Sequence, residues 1–392
     1  MSADSAITRA FEKVQPDRIA QLTLDLISIK GYTGETVEVA EFYADFLRRL
    51  GLEVELLRDL PRTPVVVARL RGVSGGPTLE LNGHLDTVPL PHDPPRIENG
   101  VVHGRGSADM RGGLAAEVEA VRALVDAGIR LKGDIMLTAH GMHEAPTGHA
   151  EDLIHRLHHG PKGDAAVIAE GASNMLLVAG LGMGIFEVEI TRAGEAAHEN
   201  STPANTPHPI LAGTRLVQLM QERHAEYQQM PIPHLGPESF FVAEFHSGDF
   251  YNRFPNYAKI VGTRRWAPHK SFEEVGAEIE GLARQVEAET GVAVKVNFSK
   301  TKDGFILEPD EPIAAALKGG YHDATGNDLP DGGWRSVADA PVFFKEGGIP
   351  AVYHSPGGSG AHADHESVEI ASLARAARVY LATAVRFCGI TE

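Results

Sequence analysis

Apolar residues in the first 180 positions follow two rhythms. Spacings of three and four recur over residues 16–29 and 35–50, which predicts two amphipathic helices, and Gly51 is placed to stop the second. Short unbroken apolar runs, "TPVVVARL", "TLELNG", "DIMLTAH" and "AAVIAE", predict strands buried on both faces. A helical stretch, "GGLAAEVEAVRALVDAG" (112–128), lies between them. This α/β order predicts a largely parallel or mixed sheet with helices on both faces. Near Gly180 the rhythm changes. "GIFEVEITRAG" alternates like a half-exposed strand, followed by helices over 207–229 and 271–290, strands near 240–246 and 258–265, and the strand "VAVKVNF". From about 300 the α/β style returns, with a helix at 311–325, the strand "IPAVYHS" and a helix at 367–387. The expected organisation is a catalytic domain over 1–181 and 300–392, interrupted by an α+β domain over 182–299.

Composition narrows the function. A chain of 392 residues exceeds one ordinary core, which agrees with two domains. A net charge of -17 argues against nucleic acid and anionic membrane as partners, and leaves the substrate open, because the local potential in a cleft can oppose it. Cys388 is the sole cysteine, so an intrachain disulfide and a thiolate metal cluster are excluded. The first twenty residues carry charges throughout, and no run approaches the ~20 apolar residues of a membrane span, so a cytoplasmic enzyme is expected.

The chemistry gathers at strand ends. In "LNGHLDTVP", His84 and Asp86 stand two apart, so on an extended backbone they point the same way. Imidazole is a common metal ligand and needs a second group to orient it, although a buried His satisfied by an Asp has the same sequence. In "VVHGRGSADMRGG", Asp109 sits between Gly-rich turns and before a helix, a place for a metal ligand or for a helix cap. Glu144 in "AHGMHEAPTG" and Glu170 in "AVIAEG" also follow buried strands. Ligand sites of open α/β sheets lie beyond the carboxyl ends of their strands, so one shared site explains these residues better than separate structural roles. His362, in "SGAHADHESVEI", follows a Gly-rich loop.

These stretches, in this order, resemble the M20 metallopeptidase family, which includes carboxypeptidase G2, acetylornithine deacetylase, succinyl-diaminopimelate desuccinylase and aminoacylases. The resemblance spans nearly the whole chain. It implies a zinc-aminopeptidase-like catalytic domain with a mixed sheet, an inserted dimerisation or lid domain, and a homodimer or larger homo-oligomer. It further implies that His84 and Glu170 hold one divalent metal, that Asp109 bridges to a second held by His362, and that Asp86 orients His84. "AGEAAHENSTP" resembles the motif whose His reaches a neighbouring subunit's active site, which implies that His198 stabilises the oxyanion there. "NRFPNYAKIVGTRRW" resembles the segment that binds the substrate carboxylate, which points to Arg265 with Asn252 as a neighbour. "SVADAPVF" resembles a substrate-side loop that leaves Asp339 without a role.

One departure stands out. The family carries two adjacent acids in the loop after the third strand, the first a general base and the second a metal ligand. Here "GMHEAPTG" offers only Glu144. If Glu144 is the base, Ala145 stands at the ligand position; if Glu144 is the ligand, His143 stands at the base position; or Glu144 is the base and His143 the replacement ligand. The last is favoured, with one or two metals per subunit, zinc or alternatively manganese or cobalt. His140, His149, His155, His158 and His159 are expected to be mostly surface residues. The expected reaction is metal-assisted hydrolysis of an amide in a small carboxylate-bearing substrate such as an N-acyl amino acid or dipeptide. The alternatives are deamination of an aromatic amino acid, as in nitroanthranilate aminohydrolase, and a non-catalytic protein that binds a metal or metabolite.

Overall fold

A computed structural model describes residues 2–73, 75–144, 147–308 and 310–391. It divides into two compact units, Met1–Val178 with Leu307–Gly332 and Ala338–Glu392, and Ala179–Ile306 with Gly333–Val337. The short segment Gly333–Val337, placed by sequence in the last part of the catalytic domain, thus packs with the second unit. Two hydrogen bonds hold it there: Leu181 N donates to Trp334 O, and the Arg335 side chain donates through Nη1 to Leu235 O.

The first unit is built on a six-stranded mixed sheet. Across it the strands run Glu53–Leu57, Val65–Leu70, Ile135–His140, Leu79–His84, Ala165–Ile168 and Ala351–Tyr353. The first two pairings are antiparallel and the rest parallel. The strand period of two sorts side chains between the faces. Val66 and Ala68 join the large core, whereas Val65 and Val67 join Met136 in a separate small cluster. Helices Pro16–Ser28, Arg111–Asp126 and Ile370–Cys388 pack on one another and contribute to the large core. Helix Glu151–His159 contacts the strand Val65–Leu70, and its buried Arg156 forks onto the buried Glu80 at 2.5 and 3.1 Å. A buried pair with both terminal guanidinium nitrogens engaged is the geometry in which a charge is tolerated in a core.

The second unit is a four-stranded antiparallel sheet in the order Ser239–Ser247, Tyr257–Trp266, Gly182–Thr191, Ala293–Lys302, covered by helices Pro209–Gln228 and Phe272–Thr290. Burial alternates along Gly182–Thr191, as the half-exposed pattern predicts, and places Phe186, Val188 and Ile190 in the core. A reciprocal Ser271–Glu274 capping box starts the second helix, and Gly291 at φ 72° ends it. No helix among the described residues is long and apolar enough to cross a membrane.

Candidate metal centre

The parallel strands of the first unit deliver the polar residues. His84 ends Leu79–His84 and His140 ends Ile135–His140, in direct register with each other. Glu170 stands two residues beyond the end of Ala165–Ile168. The loop after His140 brings His143 back over His84, with the two rings stacked at 4.0 Å and an interplanar angle of 2°. His84 Nδ1 lies 3.0 Å from the backbone oxygen of Asp86, which leaves Nε2 facing Asp109 Oδ1 at 3.2 Å. Asp109 Oδ2 in turn lies 3.3 Å from His362 Nε2, so one carboxylate touches imidazoles on two sides. His362 Nε2 is also 3.0 Å from Glu144 Oε1. The Asp86 carboxylate, wholly buried, accepts from the backbone N–H of Glu144 at 2.9 Å and of His143 at 3.2 Å. It therefore holds the loop that carries both residues, besides lying 3.5 Å from His84 Nδ1.

Two groups of ligand atoms, His84–His143–Glu170 and His84–Asp109–Glu144, each lie within 4.8 Å of one another. Imidazole and carboxylate donors suit zinc, manganese and cobalt alike. A further observation fits a cation here: Glu170 Oε2 is buried without a hydrogen-bond partner among the described residues. Electrostatics agree. Burial opposes charge on His84 and on His143, yet Asp109 and Asp86 hold the first well above its usual range, and Asp339 raises the second to about 9. Two stacked imidazolium rings would repel. A divalent ion held by His84 and His143 would remove the need for the second proton on either ring. Burial raises Glu170 to about 7, against the pull of His143. Burial would raise Asp109 also, but His362 and His84 hold it below the usual carboxylate range.

Several sequence expectations change. Asp109 does not cap the following helix: that helix begins at Arg111, Met110 is its cap residue, and no side chain caps it. The backbone N–H of Asp109 instead donates to Glu366 Oε1 at 2.9 Å. Glu366 also accepts from Gly106, Ala108 and Arg105 at 2.9–3.0 Å, so this buried carboxylate ties down the Gly-rich turn. His140 is not a surface residue. It is buried and its Nε2 lies 3.0 Å from Asp339 Oδ2, while His149, His158 and His159 are exposed and His155 is half-buried. Asp339, left without a role by sequence, also meets His143 Nδ1 at 2.7 Å. Ala145, weighed as the partner position of Glu144, lies outside the described residues.

His198, Asn252 and Arg265 belong to the second unit. His198 caps a short turn by accepting from Asn200 N at 3.1 Å, and its Nε2 is 3.1 Å from Asn252 Nδ2. Asn252 thus partners His198. Arg265 donates to the backbone oxygen of Arg335 and has no carboxylate partner among the described residues.

The model of peptidase family M20/M25/M40 matches residues 81–386. The chain belongs to that family. It is therefore a hydrolase acting on C–N bonds, which sets aside the non-catalytic alternative. An N-formyl-4-amino-5-aminomethyl-2-methylpyrimidine deformylase of Halalkalibacterium halodurans is 25% identical, with 91% of this chain and 90% of that protein covered. A succinyl-diaminopimelate desuccinylase of Methylobacterium radiotolerans is 26% identical, with 93% and 95% covered. The fold matches that of an aminopeptidase PepT from Bacillus cereus, with a TM-score of 0.81 at 19% identity over 96% of this chain and 99% of the other. It also matches a dinuclear metal-binding M20 peptidase of Bacillus subtilis, with a TM-score of 0.70 at 15% identity over 95% and 99%.

Proposed function

We propose that this enzyme hydrolyses the amide bond of a small carboxylate-bearing substrate, such as an N-acyl amino acid or dipeptide, with Glu144 as general base. The observation that carries this reading is the position of Glu144. Its buried side chain lies among the ligand atoms of His84 and Asp109 and within 3.0 Å of His362, where a carboxylate can take a proton from a water held between them. His84, Asp109, Glu170 and His143 would hold one divalent ion, zinc or alternatively manganese or cobalt, and Asp109 and His362 would reach a second. When bound, such an ion supplies Lewis acidity, which polarises a carbonyl and acidifies water. Asp86 keeps His84 in one orientation and pins the backbone of His143 and Glu144. Glu144 then returns its proton to the leaving nitrogen.

His198, steadied by Asn252, is assigned to the developing oxyanion. Arg265 is assigned to the substrate carboxylate, a role favoured by its lack of a carboxylate partner among the described residues. The relatives named above, a deformylase and a desuccinylase, support removal of an acyl group. The second unit is assigned to dimerisation or to closing over the site. Its edge strand Ser239–Ser247 supports the first, with Phe241 61% and Phe245 39% exposed.

A second reading makes Glu144 a ligand beside His362 and leaves His143 as base. The 3.0 Å approach of Glu144 to His362 favours it. The variant Glu144→Gln separates the two. A base gives a fall in turnover of about 10²–10⁴-fold with metal content unchanged. A ligand gives loss of metal as well.

A further inference from the structure

Asp339 is fully buried, and the same oxygen of its carboxylate meets two imidazoles. Oδ2 lies 2.7 Å from His143 Nδ1 and 3.0 Å from His140 Nε2. An ionised carboxylate only accepts hydrogen bonds, so each of these ring nitrogens carries its proton. For His140 this leaves Nδ1 as a bare acceptor. That nitrogen is buried without a partner among the described residues, which is tolerable for a lone pair and costly for an N–H. His140 is thereby fixed in one tautomer and serves as a fixed second donor to Asp339.

The consequence for His143 is different. With the proton on Nδ1, its Nε2 keeps the lone pair. That atom lies 3.6 Å from Glu170 Oε1 and within the ligand group of His84 and Glu170. The backbone that follows Asp339 is also held: Ala340 N donates to the Tyr353 hydroxyl at 2.7 Å, and Val342 N donates to Asp339 O at 2.9 Å. The carboxylate is thus a fixed post against which the His143 ring is set.

We infer that Asp339, backed by His140, is the positioning residue that fixes the His143 tautomer and aims its Nε2 lone pair at the metal position shared with His84 and Glu170. This rests on the reading of His143 as a ligand. It extends that reading by naming what makes a histidine usable where the family carries an acid. A carboxylate ligand has two equivalent oxygens and needs no tautomer control, whereas an imidazole binds only through its unprotonated nitrogen.

The test is calorimetric titration of chelator-stripped protein with Zn²⁺ for the wild type, Asp339→Asn and His143→Ala, with the melting transition of each apo-protein recorded. Both variants should lose about 10–100-fold in affinity at one position, the scale for orienting groups of metal ligands. Loss in His143→Ala with wild-type binding in Asp339→Asn would overturn the inference and leave the ligand reading standing. Wild-type binding in both would overturn both. Because Asp339→Asn removes a buried charge and can unfold, a second measurement does without that variant. In zinc-loaded protein with ¹⁵N-labelled histidine, the signals absent from His143→Ala should report a protonated Nδ1 and a proton-free Nε2. A proton on Nε2 would overturn the inference.

Discussion

His143 shows what one side chain changes at this centre. In the loop where the family carries two acids, its imidazole lies 2.7 Å from the buried Asp339 carboxylate. The change His143→Glu, which restores the acid pair, would set two carboxylates against each other in a buried site. We expect it to destabilise the protein, and Asp339→Asn to relieve the loss, with a coupling of about 1–3 kcal/mol in a double-mutant cycle read by urea unfolding. Additive effects would mean that the two residues do not interact. His354 makes a separate case, away from the proposed ligands. Burial lowers it from 6.5 to about 3. Its folded value is below its unfolded one, so its contribution is complete above about pH 6.5 and is lost as pH falls toward 3. Each unit is worth about 1.4 kcal/mol. The variant His354→Phe should therefore show a shallower loss of stability between pH 6.5 and 4 than the wild type, and equal slopes would contradict this. Of the residues at the centre, His84, Asp109, Glu170 and His362 were legible because each sits in a short quotable motif. Asp339 and His140 were not. Their bond joins positions 199 apart, and neither "SVADAPVF" nor "LTAH" carries a local sign of it.

At the scale of elements, the hydrophobic rhythm marked the strands and helices of both units well. The expected helix over 207–229 is Pro209–Gln228, and the strand near 258–265 is Tyr257–Trp266. It missed the helix Ala3–Phe11 and the strand Glu53–Leu57, began the last helix at 367 where Ser367–Glu369 is a strand, and missed short pieces whose backbone is satisfied by distant partners. The strand Val101–His103 pairs on one side with Arg96–Glu98 and on the other with Ser367–Glu369, and three residues are too few to show a period. The Gly-rich turn that follows is likewise held from far away. Gly104 and Gly106 adopt φ of 139° and 87°, and Glu366 accepts the N–H groups beyond them. Replacing Glu366 by Gln would turn one acceptor oxygen into a donor facing Arg105 or the amides. We expect a loss of about 3–5 kcal/mol, as for a broken buried pair, together with weaker metal binding because Asp109 rides on this turn. Urea unfolding and zinc calorimetry read the two effects. Unchanged metal affinity would mean that Asp109 is placed by something other than the turn.

At the scale of the whole chain, each unit has its own sheet and its own core. The proposed ligands all come from the first unit, drawn from sequence positions as distant as 84 and 362. The α/β rhythm on both sides of the inserted unit made this division legible. The exchange of Gly333–Val337 was not, because it depends on hydrogen bonds to Leu181 and Leu235 rather than on any pattern. The central claim is that the gathered imidazoles and carboxylates hold a divalent ion needed for amide cleavage. It is tested most directly by the rate at which chelator-stripped protein, before and after return of stoichiometric Zn²⁺, releases free amine and carboxylic acid from a panel of N-acyl amino acids and dipeptides. Loss of hydrolysis on stripping and its recovery on reconstitution is the predicted result. Hydrolysis that survives full removal of metal, or a reconstituted protein that releases only ammonia from aromatic amino acids, would contradict it.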